Sequence, residues 1–289
     1  SRGLGDVYKR QHSTYKVVLD TDSVWSRFIL RGLPYAENET KRQTIIKSGR
    51  DKEEEEKRGT KIADITTAVS EIDAEYYRMF AKKSQQIHIF SNVIDIAEYQ
   101  SIPLPATNFK KPCIYLAGSF WFGSPMDDAA RWVIKQILPI VRQQIPDIHF
   151  YIVGKDSDKT LSDIKDSNIT ITGKIPSVLS YLYHADVSLV PLRFESGTRF
   201  KILEAAACGI PIVSTTLGAE GIPVTHEQDI LIADETEAFA YSIIKLIKEP
   251  NFANCMATNL KQLVQEKNSV ISLVKEGRII LDYLAAESN

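Results

Sequence analysis

The chain is poor in the residues from which metal and redox sites are built. Its 289 residues hold three cysteines, Cys113, Cys208 and Cys255, isolated and without CxxC spacing. That is the pattern of buried thiols in a reducing cytosol, not of a disulfide framework. His12, His88, His149, His184 and His226 are equally scattered, so no metal-ligand spacing is visible and no metal site is expected. No apolar run approaches the ~20 residues that a membrane span needs. The formal net charge is only −2, with lysine and arginine dispersed, so nothing points to nucleic acid. A GxGxxG after a strand and a Walker lysine loop are both missing, which leaves dehydrogenase and P-loop ATPase readings without support. Gly3-Leu4-Gly5 follows no strand and has no third glycine. SRGLGDVYKRQ also lacks an initiator methionine and an apolar leader core, and residues 1–14 read as a non-native segment like the scars at the ends of environmental fragments.

What is present is an α/β pattern of ordinary globular composition, 44% hydrophobic and 25% charged, long enough for about two domains of ~150 residues. From Lys111 onward, the apolar runs CIYLAG (113–118), IHFYIVG (148–154), ITITG (169–173), VSLVPL (187–192) and PIVSTT (211–216) alternate with helical stretches. Continuous apolar strands between helices predict a parallel sheet covered on both faces, and such sheets bind ligands outside the carboxyl ends of their strands. Gly118, Gly154 and Gly173 fall at those ends, where a backbone turns sharply or approaches a ligand. Earlier, YKVVLDTDS (15–23), ADITTAVS (63–70) and QIHIFSN (86–92) read as three more strands, with a polar helical region between the first two. Its run DKEEEEKR (51–58) is expected to be a solvated helix face or loop. Three parallel strands leave an unprotected edge, so the chain is expected to be a fragment that has lost its true N-terminus. The expected organisation is 15–100 as the back part of one α/β domain, 101–112 as linker, 113–266 as a second domain, and 267–289 as a helix packing back toward the first.

The stretch ESGTRFKILEAAACG (195–209) carries the most chemistry. Gly197 opens the loop, and Ser196 or Thr198 can cap the helix that follows. Lys201, Glu204 and Cys208 share one helix face, while Ile202, Ala205, Ala206 and Gly209 form a narrow face for close approach to the sheet. Arg199 and Lys201 sit in the first turn, against the helix dipole, at a cost of about a few tenths of a kcal/mol each unless an anion arrives. A basic surface helix with snorkelling side chains is one reading. The other is a diphosphate site in which helix N–H groups and both cations neutralise the ligand and Glu204 accepts ribose hydroxyls.

The segment ESGTRFKILEAAACGIPIVSTTLGAEGI resembles the nucleotide-sugar-binding segment of retaining glycosyltransferases of the GT-B fold, family 4 (group 1). The resemblance extends through YLAGSFWFGSPMDDAARWVIKQILPIV, IHFYIVGK, ITGKIPSVLSYLYHADVSLVPL and ILIADETEAFA, and, in the first part, through DTDSVWSRFILR and ADITTAVSEIDAEYY…SNVID. It implies two Rossmann-like domains, the first, acceptor-binding one incomplete, and a sugar transfer from a nucleoside diphosphate to a glycan or lipid-linked acceptor, without a metal or other cofactor. Arg199 and Lys201 would stabilise the leaving diphosphate, Glu204 would hold the ribose, and Gly118 and Ser119 would line the phosphate side. Gly173, Lys174 and Ile175 would meet the base, and Ser196, Gly197 and Thr198 would complete the donor loop. Asp22 is an acceptor-side candidate, with helix capping as its alternative. Ser196 stands where most of the family has the first glutamate of Glu-x7-Glu, with Glu195 beside it, and NVID (92–95) replaces the family's NGVD. A cytoplasmic protein with peripheral contact at the inner face of the membrane is expected. A nucleotide-sugar epimerase of the same architecture and a non-catalytic nucleotide-binding subunit remain open. An epimer formed from donor alone would favour the first, and an acceptor-side acid or base absent from the full-length gene the second.

Overall fold

The computed structural model describes residues 15–197 and 199–286. The segment 1–14, Thr198 and residues 287–289 lie outside the described residues. The chain divides into two compact units. The first takes the chain up to Asn92, the short segment beginning at Phe194, and the stretch from Val270. The second takes Val93–Arg193 and Arg199–Ser269.

The first unit holds a parallel sheet ordered β1 (Val18–Leu19), β2 (Ile65–Ala68), β3 (Ile87–Ile89). Between β1 and β2 come two helices, α1 (Trp25–Arg31) and α2 (Glu39–Ile62); α3 (Glu71–Arg78) precedes β3. The run 51–58 lies inside α2, whose Asn38 cap accepts from the Lys41 N–H. Most of the run is solvated, but Glu56 is 8% exposed. This corrects the expectation of a uniformly solvated face, because one helix turn points inward every three to four residues whatever the charge pattern. The Glu56 carboxylate accepts the Ser26 N–H at 3.0 Å, the Ser26 hydroxyl at 2.5 Å and the Tyr76 hydroxyl at 2.6 Å. It thus serves the start of α1, whose own N-cap, Val24, supplies no side-chain bond. Replacing Glu56 by Ala strands these buried donors and is expected to lower the stability of the first unit by about 2 kcal/mol. Urea unfolding followed by a probe in this unit measures the loss, and an unchanged midpoint would refute the role.

The second unit carries six parallel strands: β4 (Cys113–Ala117), β5 (His149–Val153), β6 (Ile169–Ile171), β7 (Val187–Val190), β8 (Ile212–Ser214) and β9 (Leu231–Ile232). β5, β7 and β8 are buried throughout, and β4 in all but its last residue, Ala117, as continuous apolar runs require. Helices flank the sheet: α4 (Pro125–Trp132), α5 (Leu138–Gln144), α6 (Ser157–Thr160), α7 (Leu179–Leu182), α8 (Phe200–Cys208), α9 (Thr236–Lys248) and α10 (Pro250–Lys267). Between α4 and α5 the helix widens into a π turn, Val133–Ile137. Pro139 lies two residues beyond it, and its missing N–H cannot serve a carbonyl one turn back, which falls within the widened turn. The strand order β6-β5-β4-β7-β8-β9 reverses direction between β4 and β7. This is the doubly wound arrangement, and its ligand crevice lies outside the carboxyl ends of those two strands.

The last helix, α11 (Val270–Ala286), belongs to the first unit. Its Glu276 accepts the Ser91 N–H at 2.7 Å and the Ser91 hydroxyl at 2.8 Å. The stretch 101–112 clusters with the second unit.

Candidate donor site at the switch point of the second unit

The carboxyl ends of β4, β5 and β6 are stitched together by backbone. Gly118 donates to the Val153 carbonyl at 3.0 Å, Phe120 to Lys155 at 2.9 Å, and Gly154 to Gly173 at 3.2 Å. A Cβ on Gly154, whose φ is +130°, would lie 2.0 Å from the Gly118 oxygen. A Cβ on Gly173 would meet the Asp158 carboxylate at 2.8 Å, and one on Gly118 the Met126 side chain at 2.9 Å. Gly154 therefore has a packing reason of its own, close backbone approach, while Gly118 and Gly173 lie tightly against the side chains of Met126 and Asp158. Ser119 and Lys174 are exposed at this rim, with Ile175 half-buried and Gly173 buried.

On the other side of the reversal, β7 leads to α8. Arg199 is the N-cap of α8, with extended backbone and no side-chain cap bond. Of the two expected caps, Ser196 is corrected, since helical geometry begins only at Phe200 and a cap serves the N–H groups two or three residues on; the other, Thr198, lies outside the described residues. Arg199 accordingly precedes the first turn instead of lying within it, while Lys201 does occupy it. No acidic residue accompanies it there. Arg199 is 4% exposed. Lys201, Glu204 and Cys208 are half-buried on one face, and Ile202, Ala205 and Ala206 are buried on the other. Gly209 ends the helix in the left-handed conformation, φ +70°.

The two sides meet at Met126 near the start of α4, where the Lys201 Nζ lies 3.0 Å from the Met126 sulfur that also packs on Gly118. The strand-end loop after β4 and the cationic start of α8 are thus neighbours. Glu204 accepts the Tyr99 hydroxyl at 3.4 Å. Burial pushes its carboxyl above the usual range, and the Tyr99 bond and the Lys201 charge pull it back. An anion beside Lys201 and a polyol beside Glu204 are what this face can hold. Tyr99 and Met126 escaped sequence reasoning; both act through contacts far apart in the chain, for which no local spacing exists.

Ser196 and Gly197 cluster with the first unit. There the Arg31 guanidinium donates to the Glu195 carbonyl at 2.7 Å, and the Tyr35 ring packs tilted by 31° against Phe194. A Cβ on Gly197, φ +82°, would fall 2.8 Å from the Ser23 Cβ and 2.9 Å from the Asp22 carbonyl. Ser196 is buried. Asp22 is exposed and caps nothing, since Val24 is the N-cap of α1; its carboxylate accepts the Trp25 indole N–H at 3.1 Å.

Among the described residues no group of His, Cys, Asp and Glu is arranged to hold a metal ion, and no helix is long and apolar enough to cross a membrane.

Residues 111–249 match the family described as glycosyl transferases group 1. An uncharacterized 44.6 kDa protein in the cps region of Klebsiella pneumoniae is 26% identical over 144 residues, which span 47% of this chain and 37% of that protein. Among solved structures, sucrose-phosphate synthase from Thermosynechococcus elongatus superposes with a TM-score of 0.68 at 19% identity, covering 97% of this chain and 71% of that one. HepE of Anabaena, solved in complex with UDP and glucose, gives 0.63 at 14% identity, covering 92% and 71%. At these identities the structural likeness is one of fold. Residues 111–249 thus match the group 1 glycosyl transferase family, and the chain shares its α/β fold of parallel sheets flanked by helices with solved glycosyltransferases of the GT-B type.

Proposed function

We propose that this protein transfers a hexose-like sugar from a nucleoside diphosphate to a glycan or lipid-linked acceptor, with retention and without a divalent metal. The observation that carries the reading is the placement of Arg199, Lys201 and Glu204 at the switch point between β4 and β7. Arg199 and Lys201 supply two positive charges where the diphosphate would lie, and the N–H groups of α8 add the helix dipole. Negative charge grows on that diphosphate as the sugar leaves, so cations already in place favour the transition state over the ground state. Glu204 accepts the ribose hydroxyls, Gly118 and Ser119 line the phosphate side, Gly173, Lys174 and Ile175 meet the base, and Ser196 to Thr198 complete the donor loop. Asp22 is the acceptor-side candidate. The UDP and glucose bound by the HepE protein support a nucleotide-sugar donor. The cps-region relative supports polysaccharide synthesis, which we place in the cytoplasm with peripheral contact at the membrane.

Titration calorimetry with UDP, ADP and GDP in the presence of EDTA tests the donor site. Binding of at least one, undiminished by the chelator, is the expected result. The reading is wrong if none of the three binds, or if EDTA abolishes binding. Incubation with the matching nucleotide sugar, read by the anomeric proton signals of the product, then tests retention.

A further inference from the structure

The stretch 95–112 is fastened along its length to the second unit. A 3-10 turn, Ile96–Tyr99, opens it, and the Tyr183 hydroxyl donates to the Tyr99 carbonyl. Farther along, the Pro103 carbonyl meets His184 Nε2 at 2.8 Å and Ala106 donates to the Ser180 carbonyl at 3.1 Å. The Lys110 N–H donates to the Tyr151 hydroxyl at 2.6 Å, and Phe109 stacks on that same ring, centroids 4.6 Å apart and planes within 10°. Lys111 pairs with Asp186 at 2.8 Å. These anchors hold the backbone of the turn, and from it Tyr99 aims its own hydroxyl at α8, 3.4 Å from Glu204 Oε1.

A glutamate on a helix surface rotates about several bonds, and two carboxylate oxygens offer about four acceptor directions. Glu204 is half-buried, and Lys201 lies one turn earlier and Cys208 one turn later on the same face. A fixed O–H donor on one oxygen restricts the carboxylate plane and turns the second oxygen outward. Burial and the Glu204 charge both raise the Tyr99 phenol, so it remains protonated and a donor across the neutral range.

We propose that Tyr99 is a positioning residue for Glu204: its hydroxyl holds Oε1 so that Oε2 is presented to the paired hydroxyls of a nucleotide ribose. The proposal rests on the reading of Glu204 as the ribose ligand given under Proposed function. It extends that reading by making the strap 95–112 part of the nucleotide site. Its order and the affinity for a ribonucleotide are then linked.

The test is a titration of the full chain, as wild type, Tyr99→Phe, Glu204→Gln and the double variant, with UDP, ADP and GDP and with their 2′,3′-dideoxy forms. Removing the Tyr99 hydroxyl is expected to weaken the ribonucleotide about fivefold, to leave the dideoxy form unchanged, and to add nothing in the Glu204→Gln background. A purely structural loss would weaken both nucleotides alike and would persist in that background, and either result overturns the proposal. So does an unchanged ribonucleotide affinity in Tyr99→Phe while Glu204→Gln weakens it; the Glu204 reading then stands alone. If Glu204→Gln has no effect on the ribonucleotide, the ribose reading itself falls and the proposal with it. Should Tyr99→Phe fail to fold, 3-fluorotyrosine at position 99 in the otherwise native chain gives the same decision. Its fluorine resonance should move with the ribonucleotide and stay with the dideoxy form, and equal shifts with both refute the role.

Discussion

Lys201→Ala is expected to lower kcat by about 10²–10³-fold, the loss seen when one preorganised donor to developing charge is removed, and to weaken nucleoside diphosphate binding in parallel. The reason lies in the sign of the local field. The first turn of α8 holds a cation and no acid, so without an anion the helix dipole disfavours Lys201. The same substitution should therefore leave the stability of the ligand-free chain unchanged, or raise it by about a few tenths of a kcal/mol. Loss of binding together with unchanged or higher stability is the signature of a ligand-facing charge. A basic surface helix would give the opposite pair, unchanged binding and at most a small stability change. Thermal unfolding with and without nucleotide separates the two in one experiment, because a ligand that binds only the folded state raises the transition temperature. Equal nucleotide-dependent shifts in wild type and Lys201→Ala would remove Lys201 from the site.

Gly154→Ala should be the most damaging single methyl in the second unit, costing roughly 3 kcal/mol or more. The added carbon would lie 2.0 Å from the Gly118 carbonyl oxygen, with the rest of the Gly118 backbone close behind. Backbone cannot rotate away as a side-chain end can. The φ of +130° is in a region that side chains with a Cβ avoid. Relief requires β4 and β5 to part at their carboxyl ends, which displaces Gly118 and Ser119 and with them the phosphate side of the proposed donor site. Gly209→Ala is the control: its φ is +70° and its Cβ would meet nothing within 4 Å, so it should cost only about 1–2 kcal/mol. Guanidinium unfolding of both variants measures the difference. Equal losses at the two positions would show that dihedral strain alone, and not the stitch between strands, sets the cost.

Much of the architecture of the second unit is legible in the sequence because the physics is local. Five runs of apolar residues, most of them ending in or near a glycine, become five parallel strands, and the residues between them supply helices. β9 escaped the same reading since two residues, Leu231 and Ile232, form no periodic signal. The common face of Lys201, Glu204 and Cys208 follows from helical spacing, whereas the start of α8 does not. Arg199, not Ser196, is the N-cap, because helical geometry begins only at Phe200, and no spacing in the sequence marks that residue as the start. Glu56 shows a second limit: inside DKEEEEKR it is indistinguishable from its neighbours, and only Ser26 and Tyr76, brought in by the fold, tell which glutamate is buried. Tyr99 reaches Glu204 across 105 residues of chain, a distance over which no local pattern extends.

The bond between Ser91 and Glu276 spans 185 residues. The first unit therefore begins early in the sequence but cannot close until α11 has been made and has found β3. Bringing such distant segments together costs loop-closure entropy before the contact returns anything. The second unit lies almost wholly between them, and its own strands pair over much shorter spans. During synthesis, β1 to β3 leave the ribosome before the second unit, which can fold while they still wait for α11.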